Sequence, residues 1–225
     1  MSNVGFRIQS RINRPDKNLV EAFRGIPVAN ISDNMNRTCC LHARIRPMNS
    51  VPLLGPAFTV KTRPGDNLLL HKAVDMAMPG DVIVVDGQGN LEYALIGELM
   101  FLWARERGIA GIVVDGAVRD ADALRAMDIA AYAAGITPAG PSKEGPGEIN
   151  FPISCGGVLI NPGDIMIGDC DGIVAIHSED APEVLKKAQA TVKKEADIIR
   201  DIKNREWDRS WVDKVLRDKN CEFIG

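Results

Sequence analysis

The sequence predicts an α/β fold, and three observations predict it. Two continuous apolar runs rich in β-branched residues, 82–85 and 109–114, have the composition of strands buried on both faces. A helical pattern follows later in each case, over 99–107 and over 121–127. Between 129 and 176, short apolar segments alternate with turn sequences. The chain is therefore α/β in its middle and mostly β later, which implies two layers of strands plus helices rather than a plain doubly wound sheet.

Further elements are predicted on both sides of this region. They are short helices over 16–24 and 27–35, strands over 57–62 and 93–96, and a helix over 68–78. A long helix is expected from about Ala181 to Ile202. The remaining residues form a charged extension that contains Trp207 and Trp211. We therefore divide the chain into a domain over 1–202 and a C-terminal helical extension over 203–225.

Composition excludes several classes of protein. The chain has 225 residues, of which 45% are hydrophobic, so it can bury a substantial core. The formal net charge of −3 provides no basic field for nucleic acid. The sequence contains no run of eighteen apolar residues, so no membrane span is expected. The segment Met1–Arg14 lacks the apolar centre of a signal peptide. Five cysteines without a CxxC spacing predict neither a disulfide framework nor a zinc site. We expect a cytoplasmic protein.

The most informative stretch is 111–120, where a buried strand runs into a glycine turn and then reaches Arg119 and Asp120. An arginine fork binds a carboxylate through two hydrogen bonds, and a neighbouring aspartate can ligate Mg²⁺ or Mn²⁺. The alternative is that Asp120 caps the helix that starts at Ala121 and that Arg119 is a solvated surface charge.

A second junction of the same kind lies at Gly97-Glu98. A helix that begins here has unpaired N–H groups and the positive end of its dipole at the junction. The amides of Leu99 and Met100 can then bind a carboxylate or an enolate. In the alternative interpretation, Glu98 is an acidic first-turn residue that only stabilises the helix dipole.

The long helix carries an apolar seam at three- and four-residue spacing, formed by Leu185, Ala188, Val192, Ile199 and Ile202. Glu195 occupies one position of this seam. A buried carboxylate there needs a polar partner. Glu195 therefore either lies at the edge of the seam near Lys193 and Lys194 or points into a polar pocket, for example on a neighbouring subunit.

Other candidate residues predict less. His42, His71 and His177 show no metal-ligand spacing and are expected to be structural or exposed. Asp66 and Asn67 follow a Pro-Gly pair and are expected to cap a helix. The glycine-rich segment 135–157 matches neither a GxGxxG nor a P-loop pattern, so nucleotide binding is not supported.

Several short segments together resemble one known family. They are Gly65-Asp66-Asn67-Leu68, Pro79-Gly80-Asp81-Val82, Gly97-Glu98-Leu99-Met100, Asp115-Gly116-Ala117-Val118-Arg119-Asp120, Pro162-Gly163-Asp164 and Asp169-Cys170-Asp171-Gly172-Ile173-Val174. In this order they resemble the RraA-like family over roughly residues 20 to 200. The family includes 4-hydroxy-4-methyl-2-oxoglutarate / 4-carboxy-4-hydroxy-2-oxoadipate aldolase. The resemblance implies a swivelling β/β/α sandwich, an RraA-like aldolase domain over 1–202, and homotrimers or hexamers.

The activity that this resemblance implies is that of a divalent-metal-dependent class II pyruvate aldolase. Such an enzyme uses Mg²⁺ or Mn²⁺ to cleave a 4-hydroxy-2-oxo acid into pyruvate plus a second 2-oxo acid or an aldehyde, and it also decarboxylates oxaloacetate. The alternative is a non-catalytic RraA-like regulator that binds ribonuclease E. The presence of Asp120 and Glu195 favours the enzyme. A methyltransferase is disfavoured because no glycine-rich cofactor loop follows the first strand.

The resemblance also implies roles for single residues. Asp120 resembles the aspartate that contacts the metal ion directly, and Arg119 resembles the arginine that holds the pyruvyl group and stabilises enolate charge. Gly97 and the amides of Leu99 and Met100 resemble the segment that binds the substrate carboxylate.

Two acidic residues complete the implied site. Glu98 matches an aspartate of the best-known aldolases that helps to position metal-bound water and to transfer protons. Because the side chain of Glu98 is one methylene longer than that of aspartate, the resemblance does not fix the route of proton transfer. Glu195 matches a glutamate supplied by an adjacent subunit, so the resemblance implies an active site at a subunit interface, with a small-molecule 2-oxo acid as substrate.

Overall fold

The structure is a computed structural model that describes residues 3–224. The described chain forms two compact units, one up to Ala188 and one from Gln189 onward. Helices of sufficient length and apolarity to cross a membrane are absent from residues 3–224.

Eleven strands lie within the described residues, all in the first unit. They are β1 (Phe6–Ile8), β2 (Arg46–Pro47), β3 (Leu53–Thr62), β4 (Val82–Ile96), β5 (Gly111–Val118), β6 (Ala130–Ile136), β7 (Gly147–Ile149), β8 (Ile153–Cys155), β9 (Val158–Ile160), β10 (Ile165–Gly168) and β11 (Ile173–Ile176). Nine of them form one sheet with the order β1-β7-β3-β4-β5-β6-β2, in which β10 pairs with the first half of β3 and β11 pairs with β10. The remaining two, β8 and β9, pair with each other.

The centre of the sheet is parallel and its strands are in step. Val82 of β4 is the register partner of Ala57 in β3 and of Gly111 in β5, and Gly111 is the partner of Ala130 in β6. Because parallel strands that start level end at the same edge, the segments that follow β3, β4 and β5 meet along one side of the sheet. This edge carries the candidate site.

Seven helices lie within the described residues. They are α1 (Lys17–Glu21), α2 (Val28–Asp33), α3 (Leu68–Met76), α4 (Glu98–Glu106), α5 (Ala121–Ala126), α6 (Ala181–Asn204) and α7 (Ser210–Asp218). The helices α3, α4 and α5 cover one face of the parallel strands and contribute Leu70, Phe101 and Leu124 to a fully buried core. A second core, with Tyr132 and Met166, fills the opposite face. The predicted α/β class, as a layered β/β/α fold with a long C-terminal helix, is confirmed.

The predicted separate strands 82–85 and 93–96 are one strand in the structure. β4 runs without interruption from Val82 to Ile96, and its register against β5 shifts after Asp86, Asn90 and Ala94. Within the segment between the two predicted strands, Asn90 pairs with Gly116 of β5. The short strands β1 and β2 are not predicted by the sequence pattern.

The second unit consists of the end of α6 and the extension. The long helix is confirmed, and its early residues Ala181, Val184 and Ala188 are buried in the first unit. Further along the predicted seam, Ile199 is 51% and Ile202 47% exposed in the single chain. α7 follows in the extension and has no buried residue. The division at residues 202 and 203 stays a prediction.

Candidate active site

The candidate site lies where β4 and β5 end side by side. Ile96 and Val118 are register partners at these ends, and the amide of Arg119 donates a hydrogen bond of 3.0 Å to the carbonyl of Ile96. The chain then leaves the sheet through Gly97 to start α4 and through Asp120 to start α5. The sheet thus brings together two short motifs that are 22 residues apart in sequence.

Asp120 has an unusual backbone conformation, with φ of 59° and ψ of 41°. A non-glycine residue in the left-handed region costs on the order of 1 kcal/mol. Its side chain makes no capping hydrogen bond to α5, so the alternative in which Asp120 caps its own helix does not hold. Instead, Oδ2 of Asp120 accepts a hydrogen bond of 2.9 Å from the amide of Glu98. The carboxylate is therefore turned toward the positive end of the α4 dipole.

The donor set at Asp120 fits a hard divalent cation. Both contacts of its carboxylate use Oδ2, and within residues 3–224 Oδ1 has no hydrogen-bond or ion-pair partner. The described residues contain no group of three or more His, Cys, Asp or Glu side chains that could hold a metal ion. Mg²⁺ needs no such group, because it is commonly bound by one or two carboxylates and completed by water and substrate oxygens.

Gly97 is required by the close approach of these two motifs. A Cβ atom at this position would lie 2.8 Å from Cγ of Arg119 and would collide with Oδ2 of Asp120. Its φ of −145° is ordinary extended backbone, so the requirement is space rather than backbone freedom. Any larger residue would push the arginine or the carboxylate out of place.

Arg119 lies between Asp120 and a cleft of about 290 Å³. Its Nε atom is 3.7 Å from Oδ2 of Asp120, and 46% of its side chain is exposed. Residues from both motifs and from two further segments line the cleft: Asn67, His71, Ala94, Leu95, Ile96, Gly97, Leu99, Met100, Arg119, Gly140, Pro141 and Lys143. Asp120 does not line this cleft but lines a neighbouring depression, and Arg119 lines both.

The first turn of α4 offers donors to this cleft. In the part of the chain that the structure describes, the amides of Leu99 and Met100 have no hydrogen-bond partner, whereas that of Glu98 is bound to Asp120. Both residues line the cleft. A helix N-terminus with two unpaired N–H groups is suited to a carboxylate.

One wall of the cleft is not predicted by the sequence. It contains Asn67 and His71 of the α3 region and Lys143 of the loop after β6. Asn67 is 3% exposed, and its Nδ2 donates to the carbonyl of Leu95 at 2.8 Å. Its buried Oδ1 has no partner among residues 3–224. The wall therefore combines this buried acceptor, unpaired within the described residues, with an imidazole and an ammonium group.

The charge state of this wall follows from its surroundings. Partial burial, and next the charge of Lys143, lower the pKa of His71 below its usual value, although Asp75 opposes the shift. His71 is therefore neutral at pH 7, and Lys143 supplies the positive charge. The spacing of Asn67 and His71, four residues apart, places them on one side of the helix start and is the only sequence signal that could have identified them. Lys143 has no comparable signal.

The two predicted glutamates, Glu98 and Glu195, lie in different parts of the structure. The side chain of Glu98 is exposed at the start of α4, and Glu98 does not line the cleft. Glu195 lies on the part of α6 that belongs to the second unit, where it is exposed in the single chain. Gly97, Leu99, Met100, Arg119 and Asp120 are brought together at one corner, and the roles of all these residues stay predictions.

Comparison with known proteins gives the family. Residues 28–175 match the RraA-like family described as Aldolase/RraA. A protein of Halalkalibacterium halodurans named "Putative 4-hydroxy-4-methyl-2-oxoglutarate aldolase" is 42% identical over 187 residues, which cover 83% of this chain and 88% of the relative.

Solved structures share the fold but carry different names. One, from Streptomyces coelicolor, is named RraAS2, an unusual member of the RNase ES inhibitor RraA protein family; its TM-score is 0.76 at 27% identity, covering 83% of this chain and 98% of that one. Another, from Geobacillus kaustophilus, is named S-adenosylmethionine: 2-dimethylmenaquinone methyltransferase; its TM-score is 0.63 at 33% identity, covering 67% and 92%. From the family match and the 42% identical relative, this chain belongs to the RraA-like family.

Proposed function

We propose that this protein is a divalent-metal-dependent pyruvate aldolase that cleaves a 4-hydroxy-2-oxo acid and also decarboxylates oxaloacetate. The single observation that carries the proposal is the position of the Asp120 carboxylate. It is held in a costly backbone conformation against the Glu98 amide rather than on its own helix, with Arg119 beside it. Strained residues cluster at functional sites, and a carboxylate oxygen without a hydrogen-bond partner can bind a metal ion. The name of the 42% identical relative supports the same reaction.

The pyruvyl half of the substrate is assigned to the corner between β4 and β5. Asp120 would hold Mg²⁺ or Mn²⁺, and the ion would supply positive charge that stabilises the negative charge developing on the pyruvyl unit. Arg119 donates to the 2-oxo oxygen and adds a second positive charge. The amides of Leu99 and Met100 donate to the carboxylate next to the 2-oxo group. These contacts hold the carbon–carbon bond in line for cleavage.

Proton transfer is assigned to Glu98. Cleavage needs a base that removes the proton of the 4-hydroxyl group, and the exposed carboxylate of Glu98 can accept it through a water molecule. The Glu98 amide already fixes Asp120, so the same residue fixes the corner and carries the base.

The second half of the substrate is assigned to the wall formed by Asn67, His71 and Lys143, which we call the distal wall because it would contact the half of the substrate distal to the pyruvyl unit. Lys143 is a cation beside a neutral His71, and the buried Oδ1 of Asn67 lacks a donor within residues 3–224. This combination suits a substrate with a second carboxylate and a hydroxyl group beyond the pyruvyl unit.

We further propose that the active protein is a homotrimer or homohexamer, in which Glu195 of one subunit completes the site of the next. Ile199 and Ile202, which continue the seam of Glu195, expose about half of their surface in the single chain, and apolar residues of this kind are suited to a subunit interface. We place the protein in the cytoplasm, where thiols such as its five free cysteines stay reduced.

The shared site is tested by mixing two inactive variants. Asp120→Ala and Glu195→Ala should each be nearly inactive alone, whereas co-assembled oligomers should regain part of the activity. Some interfaces then pair an intact Asp120 with an intact Glu195. If verified mixed oligomers show no recovery, or if the active species sediments as a monomer, the shared site is refuted.

The reaction is tested by measuring pyruvate release from a series of 4-hydroxy-2-oxo acids and from oxaloacetate. EDTA should abolish release, and Mg²⁺ or Mn²⁺ should restore it. The absence of pyruvate from every compound, with metal present, would overturn the proposal.

One competing function is supported by a specific observation, the shared fold of the Streptomyces coelicolor protein, which is named as a member of an RNase ES inhibitor family. A regulator would bind ribonuclease E and need no metal. We expect no inhibition of ribonuclease E and no RNA binding, given the net charge of −3. Tight inhibitory binding together with no pyruvate release would reverse this ranking.

A further inference from the structure

One buried carboxylate outside the corner holds two parts of the cleft wall together. Asp66 follows β3 and is 0% exposed. Its Oδ1 accepts a hydrogen bond of 3.0 Å from the amide of Leu68, at the start of α3. Its Oδ2 accepts from the hydroxyl of Ser142 at 2.8 Å and from the amide of Glu144 at 2.7 Å. The predicted helix cap is thus only half of what this side chain does.

The three hydrogen bonds join the two segments that form this wall of the cleft. On one side, Asn67 and His71 belong to the start of α3. On the other side, Lys143 lies between the two residues that Asp66 binds, Ser142 and Glu144. The backbone adds to the joint, because the amide of Asn67 donates to the carbonyl of Ser142 at 3.0 Å.

The arrangement is ordered and costly to replace. A buried carboxylate is stable only when donors compensate for its lost hydration. Burial raises the pKa of Asp66, but the amides of Glu144 and Leu68 and the hydroxyl of Ser142 lower it by more, so the net shift is downward. Asp66 therefore stays ionised at neutral pH and keeps all three donors on it.

We propose that Asp66 is a positioning residue that sets substrate selectivity, because it ties the segment that carries Lys143 to the segment that carries Asn67 and His71. It does not touch the substrate. The inference rests on the proposed function, since selectivity here means preference for a 4-hydroxy-2-oxo acid with a second carboxylate over pyruvate itself. Loss of Asp66 should loosen the distal wall and leave the corner with Arg119 and Asp120 unchanged.

The test is the Asp66→Asn variant, which keeps the size of the side chain but turns one acceptor oxygen into a donor. Its KM for a doubly carboxylated 4-hydroxy-2-oxo acid should rise by about tenfold or more. The exchange of pyruvate methyl protons in D₂O, which needs only the pyruvyl unit, should stay within about twofold of wild type. Ser142→Ala removes one of the three donors and should give a smaller rise in KM. Ser142→Ala also tests the inference if Asp66→Asn does not fold.

Asp164→Asn is the matched control. Asp164 is 4% exposed and accepts hydrogen bonds from the Asn161 amide and from His177, and it does not line the cleft. An effect on KM that comes only from loss of stability should therefore appear equally in Asp66→Asn and in Asp164→Asn. If Asp66→Asn leaves KM unchanged, or lowers exchange and cleavage by the same factor, Asp66 is only structural and the inference is wrong.

Binding separates this failure from failure of the proposed function. If wild-type protein neither cleaves nor exchanges, calorimetry with pyruvate and 2-oxoglutarate replaces kinetics. Asp66→Asn should then weaken the binding of 2-oxoglutarate more than the binding of pyruvate. Equal weakening, or no binding of either acid to wild type, overturns the inference.

Discussion

The corner and the distal wall are built in different ways. The corner uses backbone amides, one glycine and two adjacent side chains, all from the junctions of β4 with α4 and β5 with α5. The distal wall uses side chains from segments more than 60 residues apart, joined by Asp66, whose contacts span 78 residues to Glu144. The corner is therefore fixed by the register of the long sheet strands, whereas the wall is held by one isolated bridge between Asp66 and Ser142 and by the Asp66 side chain.

This difference separates chemistry from selectivity. A geometry set by the backbone of parallel strands tolerates little change, which suits the bond-breaking step. A wall set by side chains on a loop can vary without disturbing the sheet, which suits recognition of different second halves of the substrate. Substitutions at the corner should lower turnover of every substrate, and substitutions at the wall should change preference among substrates.

The largest effect is expected at Asp120. Asp120→Asn keeps the shape of the side chain, tolerates the left-handed conformation and can still accept from the Glu98 amide, but it loses the charge needed for a metal ion. We expect kcat/KM for pyruvate release to fall by about 10³-fold with little change in thermal unfolding. Arg119→Lys should lose about 10²- to 10³-fold, because an ammonium cannot replace a bidentate fork.

Asp122→Asn is the control for this prediction. Asp122 lies in the first turn of α5 with a fully exposed side chain. It should be as active as wild type. Near-normal kcat/KM in Asp120→Asn or Arg119→Lys would contradict the roles assigned to the corner.

The next effect is expected at Gly97. In Gly97→Ala, the new Cβ contacts Arg119 and Asp120 and displaces both, so we expect about a 10²-fold loss of kcat/KM for all substrates. Gly80→Ala is the counterpart. Gly80 has a φ of 90° and no atom within 4 Å of an added Cβ, so alanine there strains the backbone without touching the cleft. It should lower the unfolding temperature and leave kcat/KM intact. The opposite pattern would refute the spatial argument.

The same contrast explains what the sequence can predict. Apolar runs such as 82–85 specify buried strands, and the residues after them are adjacent in the chain, so local pattern identifies the corner. The joint between Asp66 and Glu144 spans 78 residues and leaves no local trace, so the sequence does not reveal Lys143. Periodicity identifies the apolar seam of α6, but it does not predict that Ile199 on this seam is 51% exposed in the single chain.

A moderate effect is expected at the distal wall. Lys143→Met removes the cation and keeps an unbranched side chain, so KM for a doubly carboxylated substrate should rise by roughly 10- to 100-fold. Exchange of pyruvate methyl protons should not change. Lys72→Met is the control, because Lys72 lies next to His71 in α3 but does not line the cleft. If Lys143→Met slows exchange as much as cleavage, the division of roles between the corner and the distal wall is wrong.

The smallest effect concerns pH. Because burial and Lys143 lower the pKa of His71, the imidazole is neutral at pH 7 and gains a charge only as the pH falls below about 6.5. The added cation should lower KM for doubly carboxylated substrates by about two- to fivefold. His71→Asn should abolish this change. The KM profile of wild type and variant across pH 5 to 7.5 is the measurement, and identical profiles would refute the assignment.

The most direct test of the corner's role is exchange of pyruvate methyl protons in D₂O, followed by NMR in wild type, Asp120→Asn and Lys143→Met. With Mg²⁺ or Mn²⁺ added, wild type and Lys143→Met should exchange at equal rates, and Asp120→Asn should show almost none. Removal of the metal should stop exchange in all three. Full exchange by metal-free wild type, or undiminished exchange by Asp120→Asn, would contradict the claim that this corner alone handles the pyruvyl unit.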